Sequence, residues 1–150
     1  MRYYTGDITP DTNTIFVFGS NPQGRHGAGA AKIAKEQFNA RYGQGEGLQG
    51  NAYAIPTKDL RVKENYSYRS ITTDRITDSI KRLYQCAIQH PDKDFKIAYR
   101  NTYKRSLNGY SGIEMISMFI AAADNDISKI PDNIVISEEW YYYIKNKELL

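Results

Sequence analysis

The apolar positions fall into short runs separated by longer amphipathic stretches. Thr14-Ile15-Phe16-Val17-Phe18 is almost continuously apolar, β-branched and aromatic, the pattern of a strand covered on both faces. Gly19-Ser20-Asn21-Pro22 stops it. Ala28 to Tyr42 reads as a helix with Ala30, Ala31, Ile33, Ala34 and Phe38 on its apolar side and Gly43 just past its end. Ala52-Tyr53-Ala54-Ile55-Pro56 is a second strand, closed by Pro56. Lys58 to Ser70 is polar and reads as a loop.

Thr73 is placed to cap a helix running to about Gln89, with Asp74 in its first turn and Ile76, Ile80, Leu83 and Ala87 as the inward stripe. Phe95-Lys96-Ile97-Ala98-Tyr99 is a third strand, followed by a loop from Arg100 to Tyr110. Ser111 and Glu114 form a capping box that opens a strongly apolar helix. Asn133-Ile134-Val135-Ile136 is a last short strand, and Ser137 caps a closing helix containing Trp140 and Tyr141 to Tyr143. Strands that alternate with helices argue for a layered α/β fold, and 150 residues suit one domain around one core.

Composition narrows this picture only a little. Apolar residues at 41% and charged residues at 25% are ordinary globular values, which argues against disorder of the whole chain. The net charge of +3 favours an anionic partner weakly and does not demand nucleic acid. Cys86 is the only cysteine, which suits a reducing compartment. The start of the chain has no apolar signal region, and no run approaches the ~20 apolar residues of a membrane span. The expectation is a cytoplasmic protein with no membrane partner.

The chemistry concentrates in two glycine-bearing loops. Gly19-Ser20-Asn21-Pro22-Gln23-Gly24-Arg25-His26-Gly27-Ala28-Gly29-Ala30 joins the first strand to the first helix. Glycines there admit positive φ and let a ligand approach the backbone. The unpaired amides and dipole of a helix beginning among Gly27 to Ala30 favour an anion. Asn108-Gly109-Tyr110-Ser111-Gly112 repeats the device after the third strand. Both loops fall at strand C-terminal ends, where open α/β sheets place ligands. Two such helix starts at one sheet edge would hold two linked phosphates; the alternative is that each loop is a tight turn.

Known phosphate motifs do not fit. A G-x-x-x-x-G-K-[ST] run is absent, and the G-x-G begun by Gly27-Ala28-Gly29 meets Lys32 where a third glycine would permit close packing. Arg25 and Arg100 are placed to meet a phosphate from loops. His26 is a candidate general acid/base or a plain loop histidine. Asn21 orients a ribose hydroxyl or a water, or serves as a turn residue before Pro22. Cys86 reads as packing and His90 as a helix-end residue. The two histidines and one cysteine lack zinc-ligand spacing, so neither a metal nor a cofactor is expected. Ser111 has its capping work and lacks G-x-S-x-G context. Tyr66, Tyr68, Tyr103 and Tyr110 lie in loops from which one could stack on a base, Tyr110 being favoured.

Gly6-Asp7-Ile8-Thr9, the apolar strand ending at Asn21 and the glycine-rich turn into an alanine-rich helix together resemble a macrodomain. The match continues in order through Gly50 to Thr57, Ile97 to Tyr99 and Asn108 to Gly112. It is similar in particular to short macro-like proteins of bacteria and phages. The resemblance implies a three-layer α/β/α fold with a mixed central sheet that binds ADP-ribose. It implies that Asp7 accepts a hydrogen bond from the adenine amino group, with the Ile8 backbone beside the base. Asn21 would contact the distal ribose, Gly27, Ala28 and Gly29 the ribose and phosphates, and Gly109, Tyr110 and Ser111 the pyrophosphate from the other side. Gly19, Ser20, Ala30, Asn108 and Gly112 complete the expected ligand-binding set. The Asn-Ala-Ala-Asn run usual in macrodomains is here Phe18-Gly19-Ser20-Asn21, so a different nucleotide derivative stays open.

Two uses of such a site follow. One is binding of an ADP-ribose-like small molecule. The other is hydrolysis of an ADP-ribosyl or ADP-ribose-phosphate bond, with Asn21 positioning water, His26 moving a proton and the helix starts stabilising charge. A basic, Tyr-rich nucleic-acid-binding module is the alternative; its basic residues are scattered rather than clustered.

Overall fold

The computed structural model describes residues 1–62, 69–147 and 149. The expected loop tyrosines Tyr66 and Tyr68 lie outside the described residues. Among the described residues the chain forms a six-stranded mixed sheet and four α-helices. In chain order these are β1 (Arg2–Tyr4), β2 (Thr14–Ser20), α1 (Gly29–Gln37), β3 (Gly47–Gln49), β4 (Ala52–Pro56), α2 (Thr73–Gln89), β5 (Asp94–Ile97), α3 (Gly112–Ala121), β6 (Ile134–Ser137) and α4 (Glu138–Asn146). A 3-10 turn, Ile127–Lys129, precedes β6.

The sheet order is β1-β6-β5-β2-β4-β3, and β3 alone runs antiparallel to its neighbour. The central strand β2 pairs in parallel on both sides, Val17 lying between Tyr53 of β4 and Ile97 of β5. That double pairing explains its unbroken apolar run. Alternate residues feed two separate cores. Phe16, Phe18, Ala52 and Ala54 face α1, where Ala31, Ala34 and Phe38 meet them. Ile15, Val17, Tyr53, Ile55, Phe95 and Ile97 face the opposite way and pack with α2, α3 and α4. Small alanines on the α1 side of β4 leave room for Phe38, which stacks on Phe16 at a centroid distance of 4.5 Å.

Several boundaries differ from the sequence reading. The first helix stops at Gln37 rather than near Tyr42, because Phe38 turns inward and Asn39 takes a left-handed φ of 61°. The amides of Phe38 and Ala40 both return to the Ala34 carbonyl, and Gln49 accepts the Arg41 amide as the chain doubles back. The cap of α2 is Thr72, not Thr73: its side chain accepts from the Arg75 amide. The third strand ends at Ile97, so Ala98 and Tyr99 lie just beyond it. β1 and β3, three residues each, went unanticipated because so short a run shows no periodicity. The capping box of Ser111 and Glu114 and the Ser137 cap are both present as expected. No helix among the described residues is long and apolar enough to cross a membrane.

Candidate functional site

The parallel pairing of β5, β2 and β4 brings their C-terminal ends to one edge of the sheet. The chain leaves that edge as Ala98 to Asn101, Gly19 to Asn21, and Thr57 to Leu60. A cleft of about 620 Å³ opens there, walled by Gly27 to Ala31 on one side and by Lys104 to Asn108 with Gly112 on the other. Its volume is that of a small-molecule site. The two glycine-bearing segments picked out in the sequence therefore border one cavity.

Their helix starts are not equivalent. Ala28, the cap position of α1, is extended at φ −152° and has no side chain to offer the first turn. Gly29 takes φ +57° with open space where a Cβ would stand. The amides of Gly29, Ala30 and Ala31 meet no backbone acceptor among the described residues, and the first turn holds no acidic residue. This is an open anion seat lining the cleft. At α3 the seat is closed. Ser111 accepts from the Glu114 amide, and Glu114 in turn accepts from the Ser111 amide. The Gly112 amide donates to the Lys104 carbonyl and the Ile113 amide to the Thr102 carbonyl. The paired-phosphate expectation is corrected here: one helix start offers free amides and the other spends its own on the protein.

Charge makes up the difference. Arg25, Lys58, Arg100, Lys104 and Arg105 line the cleft, and no Asp or Glu among the described residues does. Arg105 donates to the Gly109 carbonyl at 2.9 Å and sits 3.8 Å from Glu114. Arg100 lies 3.4 Å from Asp7, whose carboxylate is exposed, and near the face of the Tyr4 ring. Asp7 thus touches the cleft through Arg100, while Ile8 is buried in the core beneath α1.

A clasp holds the loops that carry Arg25 and Lys58 together. Gln23 donates to the Asp59 carboxylate at 3.0 Å and accepts from the Leu60 amide at 3.1 Å. Arg61 grips the same carboxylate with side chain and amide, which holds its pKa far below the usual carboxylate range. The opposite wall is anchored from the end of β6 and from α4: Ser137 donates to the Arg100 carbonyl and the Trp140 indole to that of Asn101. Gly112 lies so close to the Asn101 carbonyl that no Cβ fits.

The remaining expected residues take definite places. Asn21 lines the cleft, but its amide is engaged at both ends with the Arg25 backbone, each bond 2.9 Å long. Its visible work is to shape the glycine loop. His26 is buried, edge-on to Phe18, with Nε2 3.4 Å from the Ser20 hydroxyl. Burial lowers its pKa, the charge of Lys35 adds to this, and a polar contact with the Gln44 backbone opposes it. A neutral imidazole therefore backs the cleft-lining Ser20. Tyr110 is corrected as a stacking residue: its ring is buried beneath Arg69, and its hydroxyl donates to the Ile71 carbonyl at 2.7 Å. Gly109, at φ +88°, turns the loop behind the cleft wall. Tyr103 is exposed.

The sequence reading missed the floor. Thr57 and Tyr99 line the cleft beside Gly19. The Thr57 amide donates to the Ser20 carbonyl, extending the β2–β4 ladder one step. The Tyr99 hydroxyl lies 3.1 Å from the Thr57 hydroxyl and accepts from the Asn108 amide nitrogen at 3.1 Å. Burial raises the Tyr99 pKa to about 12, so the phenol keeps its proton. Asn108, expected to touch ligand from a loop, lines the cleft as a buried member of this network. Lys58, Leu60 and Lys104 to Leu107 were equally unmarked, because nothing but strand order brings them to the same edge. Compared with protein-family models and with curated proteins, the chain matches none.

Proposed function

We propose that this chain binds ADP-ribose, or a related phosphorylated nucleotide derivative, in the cleft at the C-terminal ends of β5, β2 and β4. One observation carries the reading: five cationic side chains and an uncapped helix start converge on the cavity, with no carboxylate among its described lining residues. Such a surface is complementary to a ligand rich in anionic oxygens. The volume suits a nucleotide rather than a bare ion. The mixed sheet covered by helices on both faces is compatible with the macrodomain arrangement that the sequence resembles.

In this reading the diphosphate lies on the Gly29 to Ala31 amides, with Arg25 and Lys58 beside it. Asp7 stands next to Arg100 with an exposed carboxylate, available to an adenine amino group. Hydrolysis of an ADP-ribosyl or ADP-ribose-phosphate bond is a second reading, favoured by the neutral His26 imidazole facing the Ser20 hydroxyl.

Titration calorimetry with ADP-ribose, inorganic pyrophosphate and adenosine tests the proposal. ADP-ribose should bind, pyrophosphate should bind more weakly, and both affinities should fall with added salt. Heat from adenosine alone, or from none of the three, would remove it. Release of phosphate from ADP-ribose 1″-phosphate would add the hydrolytic reading. Salt-dependent retention on RNA without nucleotide binding would replace both with a nucleic-acid-binding module.

A further inference from the structure

The floor of the cleft contains a hydrogen-bond count that does not close within the protein. Asn108 fixes its direction. The Asn108 Oδ1 accepts from the Tyr110 backbone amide at 2.9 Å and from the Ser106 hydroxyl at 2.8 Å. A backbone amide can only donate, so the oxygen of the side-chain amide must face it. The Asn108 nitrogen therefore faces Tyr99 and donates to the phenol oxygen at 3.1 Å.

Tyr99 and Thr57 then bring two hydroxyl protons to the single contact between them, 3.1 Å long. Asn108 brings a further donor, not an acceptor. No other hydrogen-bond partner touches either hydroxyl among the described residues. One proton of the pair is left over, whichever oxygen donates to the other. Both residues line the cleft, and Thr57 is otherwise buried at 2% exposure. That proton finds no acceptor among the described residues and is available to an oxygen, of water or of a ligand, in the cleft. The neighbouring lining supplies cations, which are donors too.

We infer that the Thr57–Tyr99 hydroxyl pair, aligned by Asn108, is a preset donor for an anionic oxygen of the bound ligand, with Thr57 presenting the proton. The inference rests on the anion-binding reading of the same cleft and assigns it a floor contact that no motif marks. Asn108 acts as a positioning residue. Gly19 belongs to the arrangement because only a residue without Cβ lets the Tyr99 hydroxyl lie against the end of β2.

The test uses inorganic pyrophosphate and ADP-ribose as ligands for the full chain, measured by calorimetry. Thr57→Val keeps the shape and removes the hydroxyl; Thr57→Ser keeps the hydroxyl. The expected result is an affinity for both ligands about tenfold or more lower in Thr57→Val and within about threefold of the unmodified chain in Thr57→Ser. Circular dichroism and the urea midpoint establish that the variants are folded. Should Thr57→Val fail to fold, Thr57→Ala carries the same comparison. A valine or alanine variant that binds within twofold of the unmodified chain overturns the inference and leaves the nucleotide reading standing. Absence of binding by the unmodified chain overturns both.

Discussion

Gly19 and Tyr99 contend for the same space at the edge of the sheet. A Cβ on Gly19 would overlap the Tyr99 hydroxyl, lie 2.8 Å from its Cζ and 3.2 Å from the Thr57 hydroxyl. The glycine is needed for its missing side chain, since its φ is not in the left-handed region. The end of β2, the floor of the cleft and the hydroxyl pair are thus one packing unit.

Gly19→Ala should therefore destabilise the domain by about 1–3 kcal/mol, the usual cost of overpacking. Urea denaturation measures this. Made in a Tyr99→Phe background, the same change should cost less, because the overlapping oxygen is gone. Equal costs in both backgrounds would show that the two positions are not coupled.

The bare start of α1 predicts an exchange between stability and binding. Ala28→Ser supplies the missing cap and should raise stability by about 1 kcal/mol. It should also weaken pyrophosphate binding several-fold, since the new hydroxyl takes an amide that faces the cleft. Ala28→Asp should stabilise similarly and weaken binding further by repulsion. A capped variant with undiminished pyrophosphate affinity would place the anion elsewhere.

Buried His26 predicts a pH dependence whose sign is fixed. Burial holds its pKa below the ordinary value, so as the pH falls the unfolded chain binds the proton first. Its contribution is whole above the unperturbed histidine value of about 6.5 and is lost as the pH drops below it. The depressed carboxyls of Asp59 and Glu114 lose their contributions only below about pH 4, so the interval from about pH 5 to 6.5 isolates the imidazole. The urea midpoint should fall across that interval, and His26→Gln should flatten the fall. An unchanged slope in the variant would assign the dependence to another group.

Asp7 and Arg100 predict a split between ligands. Asp7→Ala removes the carboxylate proposed to meet the adenine amino group and releases Arg100 from its 3.4 Å partner. Affinity for ADP-ribose should fall several-fold, while affinity for inorganic pyrophosphate should hold or rise slightly. A parallel loss for both ligands would make Asp7 a structural support of Arg100 alone.

The first strand and glycine loop were legible because local chemistry dictates them. An apolar run such as Thr14 to Phe18 has no choice but burial, and Ser111 with Glu114 caps a helix wherever it lies. Reading stopped short where neighbours decide. Asn39 ends α1 as the chain folds back toward β3, and three-residue β1 and β3 exist only because β6 and β4 offer them ladders. Tyr110 looked like a loop aromatic until Ile71 and Arg69 enclosed it.

The sequence by itself determined the alternation of strands and helices, the caps of α3 and α4, and the glycine-rich approach to α1. These depend on residues a few positions apart. Only the tertiary structure decided that Thr57, Tyr99 and Asn108 share one hydrogen-bond network, that α3 spends its first amides on the 102–104 turn, and that five cations meet one cavity. Those residues come together because parallel strands distant in the chain end at one edge, and that adjacency has no local signature in the sequence.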